Sequence, residues 1–317
     1  MAANWMRRTV MVAACASAAL LAACGSSTTE SAITPQRFIA FGDAMSDVGQ
    51  NGSRYTVNDG SVNNWTLQVV ANYGKTLTPA SAGGTSYATG NARVSAKPDA
   101  AGNASTRTIT EQIDAFLAGG SFTNTDVVIV SGGVSDVIAG MAAVTAGTQT
   151  EAAMVAAARK AGEDLAAQVR RLVAAGAKYV VVTGTYDLSK SPWAKSIGRE
   201  ALLTDASSRF NDGLLVGIVD LGANVLYVDS AYYVNLYTSV PGNYGFNNAT
   251  TAVCTSVDAN NGIGIGAGKV NSALCNSSTL LSGANQASYV FADSVYLTPS
   301  AQRQFGTYAY DRLRARW

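Results

Sequence analysis

Histidine is absent from this sequence of 317 residues. Its absence excludes catalysis by an imidazole base within the chain, zinc sites built on histidine ligands, and a simple histidine pH switch. Charged residues are also scarce, at 14% of the chain against about 25% in an average soluble domain. Lysine plus arginine (22) nearly balance aspartate plus glutamate (21), so we expect no nucleic-acid partner.

The N-terminus has the layout of a secretory signal. Two arginines precede an apolar run at residues 9–21, which is too short to span a bilayer comfortably. The run ends in Leu-Ala-Ala-Cys at Cys24, a tetrapeptide that resembles the bacterial lipobox, whose cysteine becomes the lipidated first residue. We therefore predict a lipoprotein signal peptide at residues 1–23 and a lipidated tether at residues 24–35. An ordinary signal peptide with an incidental cysteine is the alternative.

The residue after Cys24 bears on the location of the protein. Gly25 stands there, in place of the aspartate that tends to retain lipoproteins in the inner membrane. We therefore expect attachment to the bacterial cell envelope through the lipid at Cys24 alone. The predicted location is the outer membrane, on its periplasmic side or at the cell surface.

Few cysteines remain for other roles. Once Cys15 is removed with the signal and Cys24 is lipidated, Cys254 and Cys275 form the only pair. A disulfide between them would close a loop of about twenty residues and stabilise the fold by roughly 3 kcal/mol. Two unpaired buried thiols are the alternative, which the Gly-, Asn- and Ser-rich sequence between them disfavours, since it could not order itself.

Apolar patterning alternates between strand and helix from residue 36 onward. Short runs rich in valine and isoleucine indicate strands buried on both faces, as in a parallel sheet. Apolar residues repeating every three or four positions indicate helices between them. This alternation predicts a doubly wound α/β sandwich, formed as one domain by residues 36–317. The predicted strands are residues 37–41, 126–130, 179–182 and 225–228, and the predicted helices are residues 64–73, 110–117, 150–174, 204–219 and a last one from residue 298.

In α/β proteins, ligands bind at the loops that follow the carboxyl ends of such strands. Four segments, in this order, resemble the conserved blocks of the SGNH or GDSL family of serine esterases and lipases. A further stretch, residues 243–254, is similar to the secreted and autotransported esterases of that family. The resemblance implies a flavodoxin-like α/β/α sandwich with a parallel sheet of about five strands. The four blocks are Gly-Asp-Ala-Met-Ser-Asp from residue 42, Tyr-Ala-Thr-Gly-Asn-Ala-Arg from residue 87, Gly-Val-Ser-Asp from residue 133, and Phe-Ala-Asp-Ser-Val-Tyr-Leu-Thr-Pro from residue 291.

The residues that carry the chemistry of that family are largely replaced. Ala44 stands at the position of the nucleophilic serine, and Tyr296 at that of the base histidine. Ser135 replaces the asparagine that donates to the oxyanion, while Gly90 retains the glycine whose N–H serves the oxyanion hole together with that of residue 44. Asp293, the acid position of the triad, is kept. We refer to Ala44, Gly90, Ser135 and Tyr296 as the reacting positions.

Substitute groups are poor candidates for the missing ones. For Tyr296 to act as a base, a phenol with a pKa of about 10 would have to lose about three units beside a carboxylate that raises it. We expect its hydroxyl to donate to Asp293 and its ring to fill the space of the histidine. Ser46 is an alternative nucleophile two residues beyond Ala44, but we interpret it as a loop hydroxyl that bonds local backbone.

Carboxylates at three strand ends form another candidate set. Asp43, Asp47, Asp136 and Asp293 could converge on one rim, where a pair could bind a metal or act as acid and base on a glycoside. Because Asp43 and Asp136 belong to the family blocks, we interpret them as acceptors of backbone N–H groups. We predict no metal site and no cofactor.

The sequence as a whole predicts a hydrolase-family lipoprotein that has lost ester hydrolysis, since removing the serine or histidine of a triad costs on the order of 10⁶ in turnover. Its former active-site cleft would bind an acyl-ester, lipid or glycan ligand, or a partner. An active esterase with substitute catalytic groups is the alternative. Aromatic side chains that could line a hydrophobic or sugar-binding surface, or belong to the core, are Tyr186, Trp193, Tyr232, Tyr233 and Tyr237.

Overall fold

A parallel sheet forms the centre of the protein in the computed structural model, which describes residues 31–317. Its strands are β1 (Arg37–Phe41), β2 (Asp126–Ser131), β3 (Tyr179–Thr183) and β4 (Val225–Tyr227). They lie side by side in chain order, and each neighbouring pair is parallel. Every residue of β2 is buried, because strands flank it on both sides and helices cover both faces. The predicted buried strands are confirmed.

A single parallel bridge takes the place of a fifth strand beside β1. Ala40 pairs there with Ser86; the N–H of Ala40 donates to the Thr85 carbonyl at 3.1 Å, and the N–H of Tyr87 donates to the Ala40 carbonyl at 2.7 Å. Gly83, with a φ of 78°, turns the chain shortly before this bridge. The resulting order, with the Ser86 segment outside β1, is that of a flavodoxin-like sheet. The sheet therefore has four full strands where about five were predicted.

Helices follow the strands as the alternation predicts, with three more than expected. Thr108 and Glu111 form a capping box at one predicted helix start, and Thr298 caps the last helix by accepting from the Ala301 N–H. The helices are α1 (Trp65–Asn72), α2 (Ile109–Leu117), α3 (Val134–Thr145), α4 (Glu151–Ala174), α5 (Pro192–Ile197), α6 (Glu200–Ile218), α7 (Ser230–Ser239) and α8 (Pro299–Arg316). Those not predicted are α3, α5 and α7.

Two helical layers cover the sheet and produce the predicted sandwich. Successive residues of β1 point to opposite faces, so that Phe41 joins the core under α4 and α6, whereas Phe38 joins the core under α1 and α8. Helices α4 and α6 approach each other closely: a Cβ at Gly162 would lie 2.0 Å from the Phe210 carbonyl oxygen. Glycine is required at that crossing.

Small elements complete the fold between α7 and α8. Their strands are β5 (Asn248–Ala252), β6 (Val257–Asp258), β7 (Lys269–Val270) and β8 (Tyr289–Phe291). Strand β5 pairs in parallel with β8, and β6 pairs antiparallel with β7. Cys254 and Cys275 form a disulfide with their Cα atoms 5.9 Å apart, which confirms the predicted pair. Turns of 3₁₀ helix occur at Ala80–Ala82, Leu188–Lys190, Pro241–Tyr244, Ser272–Leu274 and Gln286–Ser288.

The structure does not test the predictions about the N-terminus. The predicted signal peptide and Cys24 lie outside the described residues. Between residues 31 and 317, no helix combines the length and the apolar character needed to cross a membrane. Within the same residues, no group of three or more metal-ligating side chains is placed to hold an ion.

Candidate functional site

The four sequence blocks meet at the carboxyl edge of the sheet. Asp47 in the first block accepts a hydrogen bond of 2.8 Å from the N–H of Gly90 in the second. Asp136 in the third accepts one of 3.1 Å from the backbone that follows the second. Burial, and then the charge of Asp43, raise the pKa of Tyr296 in the last block. The predicted site residues are therefore brought together.

The first-block loop is held in place but presents a methyl group. The Gln112 side chain accepts from the Gly42 N–H and donates to the Gly42 carbonyl, both at 2.9 Å. Asp43 Oδ1 accepts from the Met45 N–H at 3.0 Å. At the turn between them, Ala44 is 1% exposed and belongs to the hydrophobic core. The loop retains its hydrogen bonds without a nucleophile.

Ser46, the alternative nucleophile, is fully buried, and its hydroxyl is engaged in two hydrogen bonds. Its Oγ shares a hydrogen bond of 2.6 Å with Ser131 Oγ and accepts from Trp65 Nε1 at 3.1 Å. These partners are side chains of β2 and α1, so the prediction that Ser46 bonds local backbone is wrong. Its hydroxyl instead ties the first-block loop to the sheet and a helix, because a buried hydroxyl needs partners and no base lies among them.

The N–H of Gly90 is engaged in a structural hydrogen bond. It donates to Asp47 Oδ2, while Asp47 Oδ1 accepts from Gly49 and Gln50. Asp47 is buried, and a buried carboxylate without donors would be costly. The resemblance implied that this N–H would serve an oxyanion, but here it serves Asp47. At the third reacting position, Ser135 Oγ is buried and has no hydrogen-bond partner among residues 31–317.

The third block positions Asp136 as a structural acceptor. Its carboxylate forms an ion pair with Arg93 at 3.4 Å and accepts from the Val94 N–H. Burial raises the pKa of Asp136 to about 6 although Arg93 opposes the shift. Burial also raises the pKa of Asp43 to about 7, with backbone N–H groups opposing the shift and the charge of Asp136 adding to it. Asp43 and Asp136 thus shape loops and share one buried electrostatic environment.

The acid position retains its carboxylate but not its expected partner. Asp293 Oδ1 accepts from the N–H groups of Val295 and Tyr296 at 2.7 Å, and Oδ2 accepts from the Ser272 N–H at 3.0 Å. The prediction that the Tyr296 hydroxyl donates to Asp293 is wrong, because backbone donors hold that carboxylate. The hydroxyl is influenced more strongly by the charge of Asp43 than by that of Asp293. It lacks a hydrogen-bond partner in the described part of the chain.

Tyr55 lies directly over two of the reacting positions. Its ring packs edge-on against Tyr296, with the ring centroids 5.2 Å apart. A Cβ at Gly90 would lie 2.0 Å from the Tyr55 hydroxyl oxygen. The tyrosine therefore occupies the space above Gly90 and beside Tyr296. Tyr55 is not among the predicted site residues, because it lies between the blocks and no motif marks it.

The disulfide-closed segment also reaches this place. Ile263 is 1% exposed and belongs to the same core cluster as Ala44 and Tyr296. The preceding residue, Gly262, accepts a hydrogen bond of 2.9 Å from Asn91 Nδ2 in the second block. Ile263 is not among the predicted site residues either, since its only signal in the sequence is that it is an apolar residue in a Gly- and Asn-rich stretch. We call Tyr55, together with the segment around Ile263 that accepts from Asn91, the cover.

The electrostatics of this arrangement disfavour Tyr296 as a base. Burial raises the pKa of Tyr296 well above that of a free phenol, the opposite of what a base needs. Three buried polar atoms, Asp43 Oδ2, Ser135 Oγ and Tyr296 Oη, have no partner within residues 31–317. No nucleophile and base stand within hydrogen-bond reach of each other among the reacting positions, which are Ala44, Gly90, Ser135 and Tyr296.

Comparisons with known proteins agree with the block pattern. The family model of the GDSL-like Lipase/Acylhydrolase matches residues 38–308. No curated protein matches the chain. One solved crystal structure is 13% identical, aligns over 89% of this chain and 98% of its own, and has a TM-score of 0.43, a likeness too low to support an argument.

Proposed function

The chain belongs to the GDSL-like lipase/acylhydrolase family, and from that membership we propose that it is a member that has lost ester hydrolysis. The observation that carries the proposal is the burial of the reacting positions. Ala44, Ser135 and Tyr296 are each at most 1% exposed. An ester carbonyl needs contact with a nucleophile and an oxyanion donor, and these positions present no surface to it.

The chemistry of the side chains supports the same proposal. Ala44 has no atom that attacks a carbonyl, and the raised pKa of Tyr296 keeps its phenol protonated. The Gly90 N–H is already bonded to Asp47. Loss of a serine or histidine from a triad costs on the order of 10⁶ in turnover, and loss of one oxyanion donor costs about 10² to 10³ more.

The remaining role is binding, at the cell envelope. We propose that a lipid at Cys24 anchors the protein in the outer membrane, facing the periplasm or the cell surface. The ligand would be an acyl-ester, lipid or glycan, or a partner protein. Because the cover and Tyr296 fill the space at the reacting positions, we propose that binding occurs on another surface of the domain.

Hydrolysis of 4-nitrophenyl acetate tests the loss of activity. We expect the mature protein, the single variant Ala44→Ser and the double variant Ala44→Ser, Tyr296→His to hydrolyse it no faster than buffer, because the cover still closes the site. Adding Tyr55→Ala to the double variant should raise the rate above that of buffer, and Ala44→Ser with Tyr55→Ala is the matched control that lacks the histidine. Turnover by the natural protein that disappears in Ser46→Ala or Ser135→Ala would refute the proposal.

Mass spectrometry of protein extracted from bacterial envelopes tests the anchor. The expected mass is that of residues 24–317 with a lipid attached to Cys24. Cys24→Ala should leave the protein unlipidated and shift it to the soluble fraction after cell disruption. A soluble natural protein cleaved at another position would contradict the anchor while leaving the proposal about hydrolysis intact.

A further inference from the structure

A cavity of about 480 Å³ lies on the helical face formed by α1, α7 and α8. Three tyrosine rings stand in its wall: Tyr233 from α7, Tyr244 from the 3₁₀ turn that follows, and Tyr308 from α8. We call it the tyrosine cavity. None of its lining residues belongs to the four sequence blocks or to the cover. Its volume is within the range of about 300–1,000 Å³ that is usual for small-molecule sites.

The rings of the tyrosine cavity are held rigidly from below. Tyr233 and Tyr308 stack with their centroids 4.0 Å apart. Tyr237, which is fully buried, packs edge-on against both Tyr233 and Tyr244. Phe305 packs against Tyr233 and Tyr308 from within the core. A site built this way loses little conformational entropy on binding, because its aromatic groups are already ordered.

Polar groups of both charges stand among the rings. Gln304 Nε2 donates to the Tyr244 carbonyl at 2.9 Å, which fixes the amide. Arg303 donates to the Val62 carbonyl at 3.1 Å, and Asp311 contributes the opposite charge to the lining. One cation and one anion leave the cavity without net charge. This balance disfavours a phosphate or another anion as the ligand.

The tyrosine hydroxyls are close enough to influence one another. Burial first, then the neighbouring hydroxyls of Tyr244 and Tyr308, raise the pKa of Tyr233. Tyr233 therefore remains protonated and neutral across the physiological pH range and can donate a hydrogen bond. The cavity thus combines apolar ring surface with neutral donors, a fixed amide and a balanced charge pair.

These features match the chemistry of sugars. A pyranose ring has apolar C–H faces, which pack on aromatic rings, and a rim of hydroxyls, which need hydrogen-bond partners when desolvated. An acyl chain would contact the rings but offer no hydrogen bond to the tyrosine hydroxyls that it desolvates, at a cost of about 1–3 kcal/mol for each group left without a partner. We propose that the tyrosine cavity is a binding site for a short neutral oligosaccharide. The proposal is independent of whether the reacting positions hydrolyse esters.

Calorimetric titration of the mature protein with defined tetrasaccharides tests this site. The probes are chitotetraose, cellotetraose and maltotetraose, with tetragalacturonate as the anionic comparison. We expect saturable binding of at least one neutral probe and weaker binding of the anionic one. Absence of saturable binding by all three neutral probes at millimolar concentration, or preference for the anionic probe, would overturn the proposal.

Variants locate the binding. Tyr308→Ala and Tyr244→Ala should each weaken binding of the neutral probe about tenfold, a loss of about 1.4 kcal/mol. The matched control is Tyr310→Ala, two residues along the same helix, where the ring packs on Tyr73 away from the cavity. Gln304→Ala provides a second, less disruptive test, and circular dichroism checks that each variant folds. Unchanged binding in Tyr308→Ala, Tyr244→Ala and Gln304→Ala would refute the assignment to this cavity. A partner protein that occupies the cavity without displacing the bound sugar would refute it as well.

Discussion

Tyrosine side chains are buried to different extents at the reacting positions and at the tyrosine cavity. Tyr296 is fully buried and its hydroxyl has no partner among residues 31–317, whereas Tyr232, beside the cavity, is 55% exposed. In the first region polar groups are enclosed, whereas in the second the lining rings are half-buried and the neighbouring Tyr232 ring faces solvent. A group that must react or bind needs access, so the comparison separates a region built for packing from one built for contact.

The closure of the first region has identifiable costs. Burying a polar group without a hydrogen bond costs about 1–3 kcal/mol in protein mutational data. Asp43, Ser135 and Tyr296 each keep such an atom, counted over the described residues. Packing of the Tyr296 and Tyr55 rings and of Ile263 offsets this cost with buried apolar surface.

The largest difference between the two regions is expected when the side chains of Tyr296 and Tyr232 are removed in turn and the free energy of unfolding is compared. Tyr296→Ala is expected to lower the free energy of unfolding by about 4 kcal/mol, because it leaves a large cavity in the core. Tyr232→Ala is expected to change it by about 0.5 kcal/mol or less, since that ring is 55% exposed. Guanidinium denaturation measures both. Tyr296→Phe is the control: it removes only an unpartnered hydroxyl and should cost little. Equal losses in the two alanine variants would contradict the comparison.

Opening the disulfide should loosen only the region of the cover. Replacing Cys254 and Cys275 by alanine is expected to lower the free energy of unfolding by about 3 kcal/mol, from the loop entropy released in the unfolded chain. Amide hydrogen exchange through local opening should accelerate around Ile263, whereas in α8, which lines the tyrosine cavity, only the amides that exchange by global unfolding should accelerate. New local opening in α8 would show that the two regions are not independent.

A glycine substitution tests whether Tyr55 closes the site. Gly90→Ala would place a Cβ 2.0 Å from the Tyr55 hydroxyl oxygen and is expected to cost about 2 kcal/mol through overpacking. In a Tyr55→Ala background the same change should cost much less, because the clashing ring is gone. Denaturation of the four proteins of this cycle measures the coupling. If the losses in unfolding free energy of the two single variants simply add in the double variant, Tyr55 does not lie against Gly90.

The raised pKa values predict a dependence of stability on pH. Asp43 has a pKa of about 7 in the folded protein against an ordinary 3.8, so above pH 3.8 the unfolded chain releases a proton that the folded one retains. The stabilising contribution is therefore complete below that pH and is lost as pH rises towards 7. The free energy of unfolding falls by up to about 1.4 kcal/mol per pH unit in this range for each such carboxyl.

Asp43→Asn isolates this contribution. The difference in unfolding free energy between the natural protein and the variant should change between pH 4 and pH 7 and remain level outside that window. Tyr232→Ala, at the exposed region, should leave the pH dependence as it is. A natural protein that gains stability relative to Asp43→Asn as pH rises through this window would show that the folded-state pKa of Asp43 is lowered.

Local sequence signals predicted the frame of the fold well. Val- and Ile-rich runs gave β1 to β4, and caps such as Thr108 and Thr298 marked helix starts. Helix α3 was missed because its N-cap is Gly133, which offers no capping side chain, and α5 was missed because it is only six residues long. In α7 a run of tyrosines obscured the helical period.

Site residues divide in the same way. That Ala44 and Tyr296 stand where the block pattern has a serine and a histidine was visible in the sequence, because the pattern names those positions. The roles of Tyr55 and Ile263 were not visible, since neither has a motif. The partners of Ser46 and the Tyr296 hydroxyl were predicted wrongly, because each depended on which groups pack nearby.

The amino-acid sequence by itself determined that no imidazole base exists, that the family blocks stand in order, and which of their residues are replaced. Only the tertiary structure decided that the Gly90 N–H bonds Asp47, 43 residues away, and that Tyr55 packs over Gly90 and against Tyr296. Residue identities set which chemistry is available, whereas contacts between distant segments depend on how the whole chain packs, and packing decides which groups remain accessible.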